Sequence, residues 1–502
     1  MSLKTPTSLT SIRTLGALRD SGYRVRSVKD ELRENLIEAL REGQDPFPGV
    51  LGFEKTVIPQ IQNAILGRHD FILLGLRGQA KTRILRLLPG LLDEYIPVVA
   101  GSDLNDDPFA PISKFARDLI EEKGADTPID WLPRGARYGE KLATPDTSIA
   151  DLIGDIDPIK AAHRKLTYAD EEVIHFGIIP RTNRGIFTIN ELPDLQPRIQ
   201  VGLLNIMEEQ DIQIRGFNIR FPLDLLMVFS ANPEDYTNRG SIITPLKDRI
   251  DSQIITHYPK TVETGIAITE QEAWQERPGR VQVVVPRYFR EIIEQVAFEA
   301  RASEYVDQNS GVSARMTRAA LENLISAAER RALLCGESKT TVRPSDLWFI
   351  EPAITGKLEL VYEGEQEGAQ TVAQVLTGQA LKKTFAKQFP APDQNRVAYK
   401  TILQWFASGG KIDLHHDLSF AEYLTALDQV EGLRYIVDRV LNPESEELRA
   451  SAMELVLEAL HQHSLLGKDT DDGSRSFMDM MGSMLSGIGP DIDDAGEFDE
   501  DA

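Results

Sequence analysis

The residues best placed to do chemistry are eight that follow an apolar run at 71–74. Their order predicts a buried strand, a turn of small residues and an amphipathic helix that opens with Lys-Thr. Backbone N–H groups of such a turn, and the dipole of the helix, favour a bound phosphate. The lysine can reach β- and γ-phosphates, and the threonine hydroxyl can ligate Mg²⁺. The eight residues are Gly75, Leu76, Arg77, Gly78, Gln79, Ala80, Lys81 and Thr82.

One position departs from the phosphate-loop pattern G-x-x-x-x-G-K-[ST]. Ala80 stands where the second glycine is expected, and its methyl group restricts the backbone φ angle. Gly78, two residues earlier, keeps the turn flexible. The alternative interpretation is an ordinary strand-to-helix connection that happens to contain these residue types.

Further polar groups lie at the ends of other predicted strands. Residues 185–192 and 224–232 each read as a buried strand, and residues 252–258 form a fourth. In a parallel sheet, ligand groups gather at the carboxyl ends of the strands. Glu191 would then polarise an attacking water, Asn190 would hold the Mg²⁺ hydration shell, and Asn232 would position the water or the γ-phosphate. Taken singly, each is more simply a solvated or turn residue.

Composition narrows the class of protein. The chain has 502 residues, 41% of them hydrophobic and 26% charged, so we expect a globular protein of two or three domains. No apolar run reaches the length of a membrane span, and the N-terminus lacks the apolar core of a signal peptide. The single cysteine, Cys335, excludes an intrachain disulfide and favours a reducing cytoplasm.

The charge is unevenly distributed. Net charge is −23, and residues 469–502 hold 11 acidic residues and one basic residue. The acidic body disfavours non-specific nucleic-acid binding. The tail is predicted to be disordered. Its segment 477–485 holds four of the nine methionines, so it is either a docking peptide for a partner or the ring, or a loosely packed terminal helix.

Together these motifs resemble the AAA+ ATPases of the magnesium-chelatase I-subunit and MoxR branch. The resemblance covers residues 45–362. GLRGQAKT (75–82) matches Walker A, IFTINEL (186–192) Walker B and FSANP (229–233) sensor 1. TPLKDRID (244–251) is similar to the arginine-finger region, with Arg249 as the finger. GVSARMTRAALENL (311–324) is similar to the sensor 2 helix, with Arg315 as the sensor arginine and Arg318 as the fallback.

The resemblance implies an α/β fold: an AAA+ parallel-sheet P-loop core and then an α-helical lid. An N-terminal helical segment would span 1–45, the core 46–262 and the lid 263–368. A further helical extension would span 369–468, and the disordered acidic tail 469–502. Two insertions of the branch are matched, a helix-2 insertion at 151–184 and a pre-sensor-1 hairpin at 211–222, for which a surface ornament is the alternative.

The activity that the resemblance implies is ATP hydrolysis with Mg²⁺ by a cytoplasmic ring, a hexamer, that remodels or activates a partner protein. The partner would contain a von Willebrand factor A domain. Arg249 would act on a neighbouring subunit's nucleotide, and Arg315 would report the nucleotide state to the lid. Without the family context, Arg249 would be expected to pair with Asp248 or Asp251. Metal insertion and protein maturation both remain open.

Two departures from the family pattern favour a rival. Ala80 replaces a glycine. Asn190 replaces the usual Walker B aspartate, and a neutral amide holds Mg²⁺ more weakly than a carboxylate does. The rival is a nucleotide-binding scaffold with little or no ATP turnover. Glu191, Asn232 and Arg249 count against it. A DNA-remodelling protein is a third interpretation, but the hairpin offers only Arg215 and Arg220.

Overall fold

The computed structural model describes residues 7–157, 159, 171–214, 220–232, 241–279, 281–471 and 474–480. The chain divides into two compact units, Met1–Tyr258 and Pro259–Ala502. Among the described residues, no helix is both long and apolar enough to cross a lipid bilayer.

The strands of the first unit are short and lie between helices. They are β1 (Phe71–Leu74), β2 (Tyr95–Val99), β3 (Ile129–Pro133), β4 (Tyr138–Leu142), β5 (Gly154–Ile156), β6 (Ile174–Phe176), β7 (Gly185–Asn190), β8 (Asp211–Gln213), β9 (Arg220–Pro222), β10 (Leu225–Ala231) and β11 (Ser252–Ile255). Five of these described strands form one sheet in the order β11–β1–β10–β7–β4, and all the neighbours in it run parallel.

The helices of the first unit begin close to the N-terminus. They are α1 (Thr7–Thr10), α2 (Leu15–Asp20), α3 (Val28–Glu42), α4 (Val57–Leu66), α5 (Lys81–Leu87), α6 (Lys114–Lys123), α7 (Ile149–Leu152), α8 (Ile178–Arg181), α9 (Pro197–Glu209) and α10 (Thr244–Arg249). Short 3₁₀ helices span Leu88–Leu91, Gly124–Asp126, Arg134–Arg137, Glu171–Val173 and Leu192–Asp194.

Both faces of the sheet are buried, as the continuous apolar runs predict. On one face Phe71, Leu73 and Val228 pack with α3, α4 and α5. On the other face Ile72 and Phe229 pack with α9. Because successive strand residues alternate between the faces, strands buried on both faces are mostly apolar.

Residues 101–145, for which the sequence predicts no strand, contain two strands, at 129–133 and 138–142. β3 pairs with β2 in a separate antiparallel ribbon, and β4 is the edge strand of the main sheet. The burial of β4 is incomplete, and its sequence YGEKL lacks an apolar run, which explains why it escaped prediction.

The described parts of both predicted insertions contain antiparallel pairs. β5 pairs with β6 within 151–184, and β8 pairs with β9 within 211–222. Arg220 is exposed and lies 3.4 Å from the Asp211 carboxylate. Arg215 lies outside the described residues.

The second unit is built mainly from helices. They are α11 (Val262–Glu272), α12 (Arg287–Ala302), α13 (Arg315–Cys335), α14 (Glu351–Thr355), α15 (Tyr362–Glu367), α16 (Ala369–Gln388), α17 (Lys400–Ala407), α18 (Phe420–Asp428), α19 (Leu433–Val440) and α20 (Glu446–Gln462), with 3₁₀ helices at Pro344–Ile350 and Arg396–Tyr399. One apolar cluster joins α12, α13, α16 and α20, so residues on either side of position 368 share a core.

Two small sheets complete the second unit. β12 (Gln282–Val284) runs parallel to β13 (Lys339–Thr341). β14 (Ile412–His415), β15 (Gly467–Asp471) and β16 (Ser474–Met478) form an antiparallel sheet in the order β14–β16–β15.

The second sheet shows that residue 469 is wrong as the start of the disordered tail. Up to Met480 the described part of the tail is ordered, and Phe477 is fully buried in the core of the unit. Arg475 is also buried, 3.3 Å from the Glu458 carboxylate. A mostly polar segment is thus held by one aromatic ring and one buried ion pair. Residues 481–502, including the rest of the predicted Met-rich docking segment, lie outside the described residues.

Candidate functional site

The turn between β1 and α5 begins with a glycine that two side chains approach closely. A Cβ atom on Gly75 would overlap Thr256 Oγ1 and Gln79 Oε1. These two atoms are themselves hydrogen bonded at 2.7 Å, with the hydroxyl as donor. Tyr258 Oη donates to the Arg77 carbonyl at 2.8 Å on the far side of the loop. The residues that follow β11 therefore hold the loop in shape.

Ala80 adopts the conformation that the missing glycine would favour. Its φ is +56° and its ψ is +13°, in the left-handed region, and Gly78 has a φ of +73°. An L-residue in this region is destabilised by about 1–2 kcal/mol relative to the right-handed conformation. The methyl group thus leaves the turn intact and introduces local strain.

Lys81 extends back along the inside of the loop and is buried. Its Nζ donates to the Gly75 carbonyl, to the Leu76 carbonyl at 3.1 Å and to Asn232 Oδ1 at 2.6 Å. Thr82, the next residue of α5, is exposed. An ammonium group inside a turn of backbone N–H groups is suited to an anionic phosphate.

Asn232 connects this lysine to the acidic residue at the end of β7. Its Nδ2 donates to Glu191 Oε2 at 3.0 Å while its Oδ1 accepts from Lys81. Glu191 has a φ of +54°, another left-handed residue that is not glycine. Strained backbone of this kind persists where the surrounding structure holds it and is common at functional sites. The structure thus brings together Lys81, Asn232 and Glu191.

Asn190 uses both ends of its side-chain amide. Ser230 Oγ donates to Asn190 Oδ1 at 2.9 Å, and Asn190 Nδ2 donates to Glu140 Oε1 at 2.6 Å. The carboxylate can only accept, so this contact fixes which end of the amide faces it. Glu140 was missed in the sequence because β4 was missed. Without the strand assignment, the sequence around Glu140 contains no motif that marks this carboxylate as part of a site.

Asn190 and its neighbour Glu140, together with Thr82 of α5, are of the residue types that bind Mg²⁺. A threonine hydroxyl, an amide oxygen and a carboxylate are the hard oxygen ligands that this ion prefers, and it binds with one or two carboxylates. Thr82, Asn190 and Glu140 supply those three types. Among the described residues, no group of three or more His, Cys, Asp or Glu side chains is arranged so that it could hold a metal ion.

Arg249 lies at the end of α10 and pairs with neither of the aspartates expected from the sequence. Its guanidinium pairs with the Glu208 carboxylate on α9 and donates to the Pro245 carbonyl at 3.0 Å. Asp251 accepts instead from the Asp70 backbone at 2.9 Å. Glu208 is 55% exposed, so the pair lies at the surface.

Arg315 and Arg318 lie in the second unit. Arg315 is the first residue of α13 and is exposed, and its backbone N–H donates to Ser313 Oγ at 3.1 Å. Arg318, one turn later, lies 3.7 Å from the Glu322 carboxylate.

No protein-family model matches this chain. Among solved structures, a candidate ATPase from Cytophaga hutchinsonii is 17% identical to this chain. The match covers 72% of this chain and 97% of the ATPase, with a TM-score of 0.30. A complex of subunits BchI and BchD of magnesium chelatase is 19% identical, covering 64% and 98%, with a TM-score of 0.33. Hsp104 with ATPγS and casein is 13% identical, covering 66% and 52%, with a TM-score of 0.38.

The order of the strands and helices in this chain defines its architecture. The phosphate loop follows β1, the strand that leads to Asn232 lies between β1 and the strand that leads to Glu191, and a helical unit follows in the sequence. The chain thus has the fold class predicted from its sequence, an α/β core in which the loop at 75–82 follows a strand of a parallel sheet, with a mainly helical unit after it.

Proposed function

We propose that this chain is a ring-forming ATPase that couples Mg-ATP hydrolysis to the remodelling or activation of a partner protein. The observation that carries the proposal is the link Lys81–Asn232–Glu191. One amide contacts both the phosphate-binding lysine and the candidate base, at 2.6 and 3.0 Å. A γ-phosphate and its attacking water have to be held between such groups for in-line transfer.

Each residue of the site has a distinct role in this proposal. Residues 75–82 hold the phosphates, and Lys81 exchanges its carbonyl partners for phosphate oxygens. Thr82 and Asn190 hold Mg²⁺, which when bound neutralises charge on the β- and γ-phosphates. Glu191 accepts the proton of the attacking water, and Asn232 orients that water.

Arg249 is the proposed arginine finger and acts on the nucleotide of a neighbouring subunit. Its present partner, Glu208, is largely exposed. An exposed ion pair contributes about 0–1 kcal/mol, so little free energy opposes its exchange for a phosphate. Arg315, exposed at the start of α13, is the proposed sensor of nucleotide state.

Assembly and partner come from the motif resemblance. We propose a homo-oligomeric ring of six subunits in the cytoplasm, and a partner with a von Willebrand factor A domain. Protein maturation of the MoxR kind and metal insertion of the chelatase kind are the two versions. The helical extension and the acidic tail favour the first version.

A nucleotide-binding scaffold is the second candidate, and two observations favour it. Ala80 strains the loop at a φ of +56°. The two ends of the Asn190 amide are engaged by Ser230 and Glu140. Both features would slow catalysis without preventing nucleotide binding.

Mg²⁺-dependent ATP turnover per subunit, measured as protein concentration is raised, separates the two candidates. The ring ATPase is expected to turn over faster as it assembles and to lose turnover in Glu191→Gln. Glu122→Gln, an exposed acid-to-amide change on α6, is the matched control and should match the unaltered protein. Tight ATP binding with no turnover at any concentration would establish the scaffold instead.

A further inference from the structure

We infer that Glu140 supplies the carboxylate that the Mg²⁺ site lacks at Asn190. The inference rests on the proposed function, since it concerns the metal that accompanies ATP. It assigns a role to a strand, β4, that carries none of the motifs in the sequence.

The sheet register places Glu140 on the same face as the site. β4 and β7 run in parallel, with Glu140 opposite Thr188 and Leu142 opposite Asn190. In a parallel pair, opposite residues share a face, and so do residues two apart along one strand. Glu140, Thr188 and Asn190 therefore project together, and the 2.6 Å bond between Glu140 and Asn190 follows.

Only one carboxylate fits at this contact. If residue 190 were an aspartate, two carboxylate oxygens would meet at hydrogen-bond distance with no donor between them, and like charges would repel. An asparagine beside Glu140 avoids the repulsion and donates. In this pair the negative charge lies on Glu140 of β4, and the residue on β7, Asn190, is neutral.

Arg86 places Glu140 beside helix α5. Its Nε and one terminal nitrogen contact the two Glu140 oxygens at 2.9 and 3.1 Å. Arg86 lies four residues after Thr82 on α5, so the two side chains share one face of that helix. Glu140 thus lies on the side of α5 that carries the proposed Mg²⁺ ligand.

The two partners of this ion pair differ in exposure. The Arg86 side chain is 64% exposed and that of Glu140 is 20% exposed. An exposed arginine can leave at little cost, whereas the carboxylate is held in the sheet by Asn190. Glu140 is therefore available to a cation in exchange for Arg86.

The test is how much Mg²⁺ tightens the binding of a non-hydrolysable ATP analogue, measured by fluorescence titration of a mant-labelled form in Mg²⁺ and in EDTA. Glu140→Gln is expected to reduce the Mg²⁺ enhancement by about 10- to 100-fold, the range for partners that orient metal ligands, and to leave the affinity in EDTA unchanged. The double variant Asn190→Asp/Glu140→Gln, which returns the carboxylate to β7, should restore the enhancement.

Arg86→Ala separates a metal role from a salt bridge. It removes the ion pair but keeps the carboxylate, so the Mg²⁺ enhancement should be retained or increased. Full enhancement in Glu140→Gln would overturn the inference, as would equal losses in Glu140→Gln and Arg86→Ala. If Glu140→Gln does not fold, the double variant decides: enhancement supports the inference and its loss contradicts it. If the unaltered protein binds no analogue in either condition, the proposed function itself fails.

Discussion

Asn232 donates a hydrogen bond to Glu191 at 3.0 Å from the same amide that accepts one from Lys81. The two functional groups are thus positioned by a single side chain. Replacing that side chain should affect the chemical step more than ATP binding, because the loop keeps its phosphate contacts.

We expect Asn232→Ala to lower kcat by about 10²-fold, as for other removals of one positioning donor, with little change in KM. Steady-state kinetics on the assembled protein would measure both constants. Asn63→Ala, an exposed asparagine on α4, is the control. A raised KM with unchanged kcat would show that Asn232 only binds substrate.

Ala80→Gly should stabilise the protein. Ala80 sits at a φ of +56°, where glycine has no steric penalty, and relief of that strain is expected to exceed the entropic cost of glycine by about 1 kcal/mol. Chemical denaturation gives the free energy of unfolding. In the right-handed helix α3 the same substitution, Ala39→Gly, should destabilise instead. A loss of stability in both variants would contradict the strain at Ala80.

A third prediction concerns pH and the partly buried carboxylate of Asp224. Its two carboxylate oxygens, Oδ1 and Oδ2, accept from the Val28 N–H at 3.0 and 2.9 Å. Burial raises the pKa of this carboxyl group from 3.8 to about 6. The pKa of Asp224 is higher in the folded than in the unfolded protein, so Asp224 contributes its full stabilisation of the folded state below about pH 4. That contribution is lost as pH rises through about 6.

Asp224→Asn removes this dependence and keeps an oxygen for Val28. Relative to the unaltered protein, the variant should gain about 3 kcal/mol of unfolding free energy between pH 4 and pH 8, since each pKa unit corresponds to 1.36 kcal/mol. Urea titrations at several pH values measure the difference. Asp130→Asn, at an exposed position, should show no such trend, and a constant difference for Asp224→Asn would refute the assignment.

Phe477→Ala tests the ordered start of the tail. The ring is fully buried in the core of the second unit, so truncation should cost about 3–5 kcal/mol. Thermal unfolding of the full chain would show the loss. Met480→Ala, only partly buried, is the comparison. Equal stability of Phe477→Ala and the unaltered protein would mean that this segment does not pack.

What the sequence predicted and what it did not can be traced to particular residues. β1, β7 and β10 are mostly apolar and buried on both faces, so the sequence could predict these strands and the polar residues at their ends. β4 is an edge strand with a glycine and two charges, and Glu140 was lost with it. Phe477 is one buried ring in a mostly polar segment, so composition alone predicted disorder where a strand forms.

Contacts between residues far apart in the sequence could not be predicted from it. Arg249 and Glu208 are 41 residues apart and meet only because α9 and α10 pack together, so local sequence favoured Asp248 and Asp251. The roles of Glu191, Asn232, Arg249 and Arg315 stay predictions.

The central claim is a ring in which one subunit completes the site of the next, and mixing two inactive variants tests it most directly. Glu191→Gln lacks the base but keeps Arg249, whereas Arg249→Ala keeps the base. Each alone should be inactive. In an equal mixture, about a quarter of head-to-tail interfaces pair an intact base with an intact arginine, so turnover should reappear. A mixture as inactive as its two components, under conditions where both assemble, would contradict an arginine that acts between subunits.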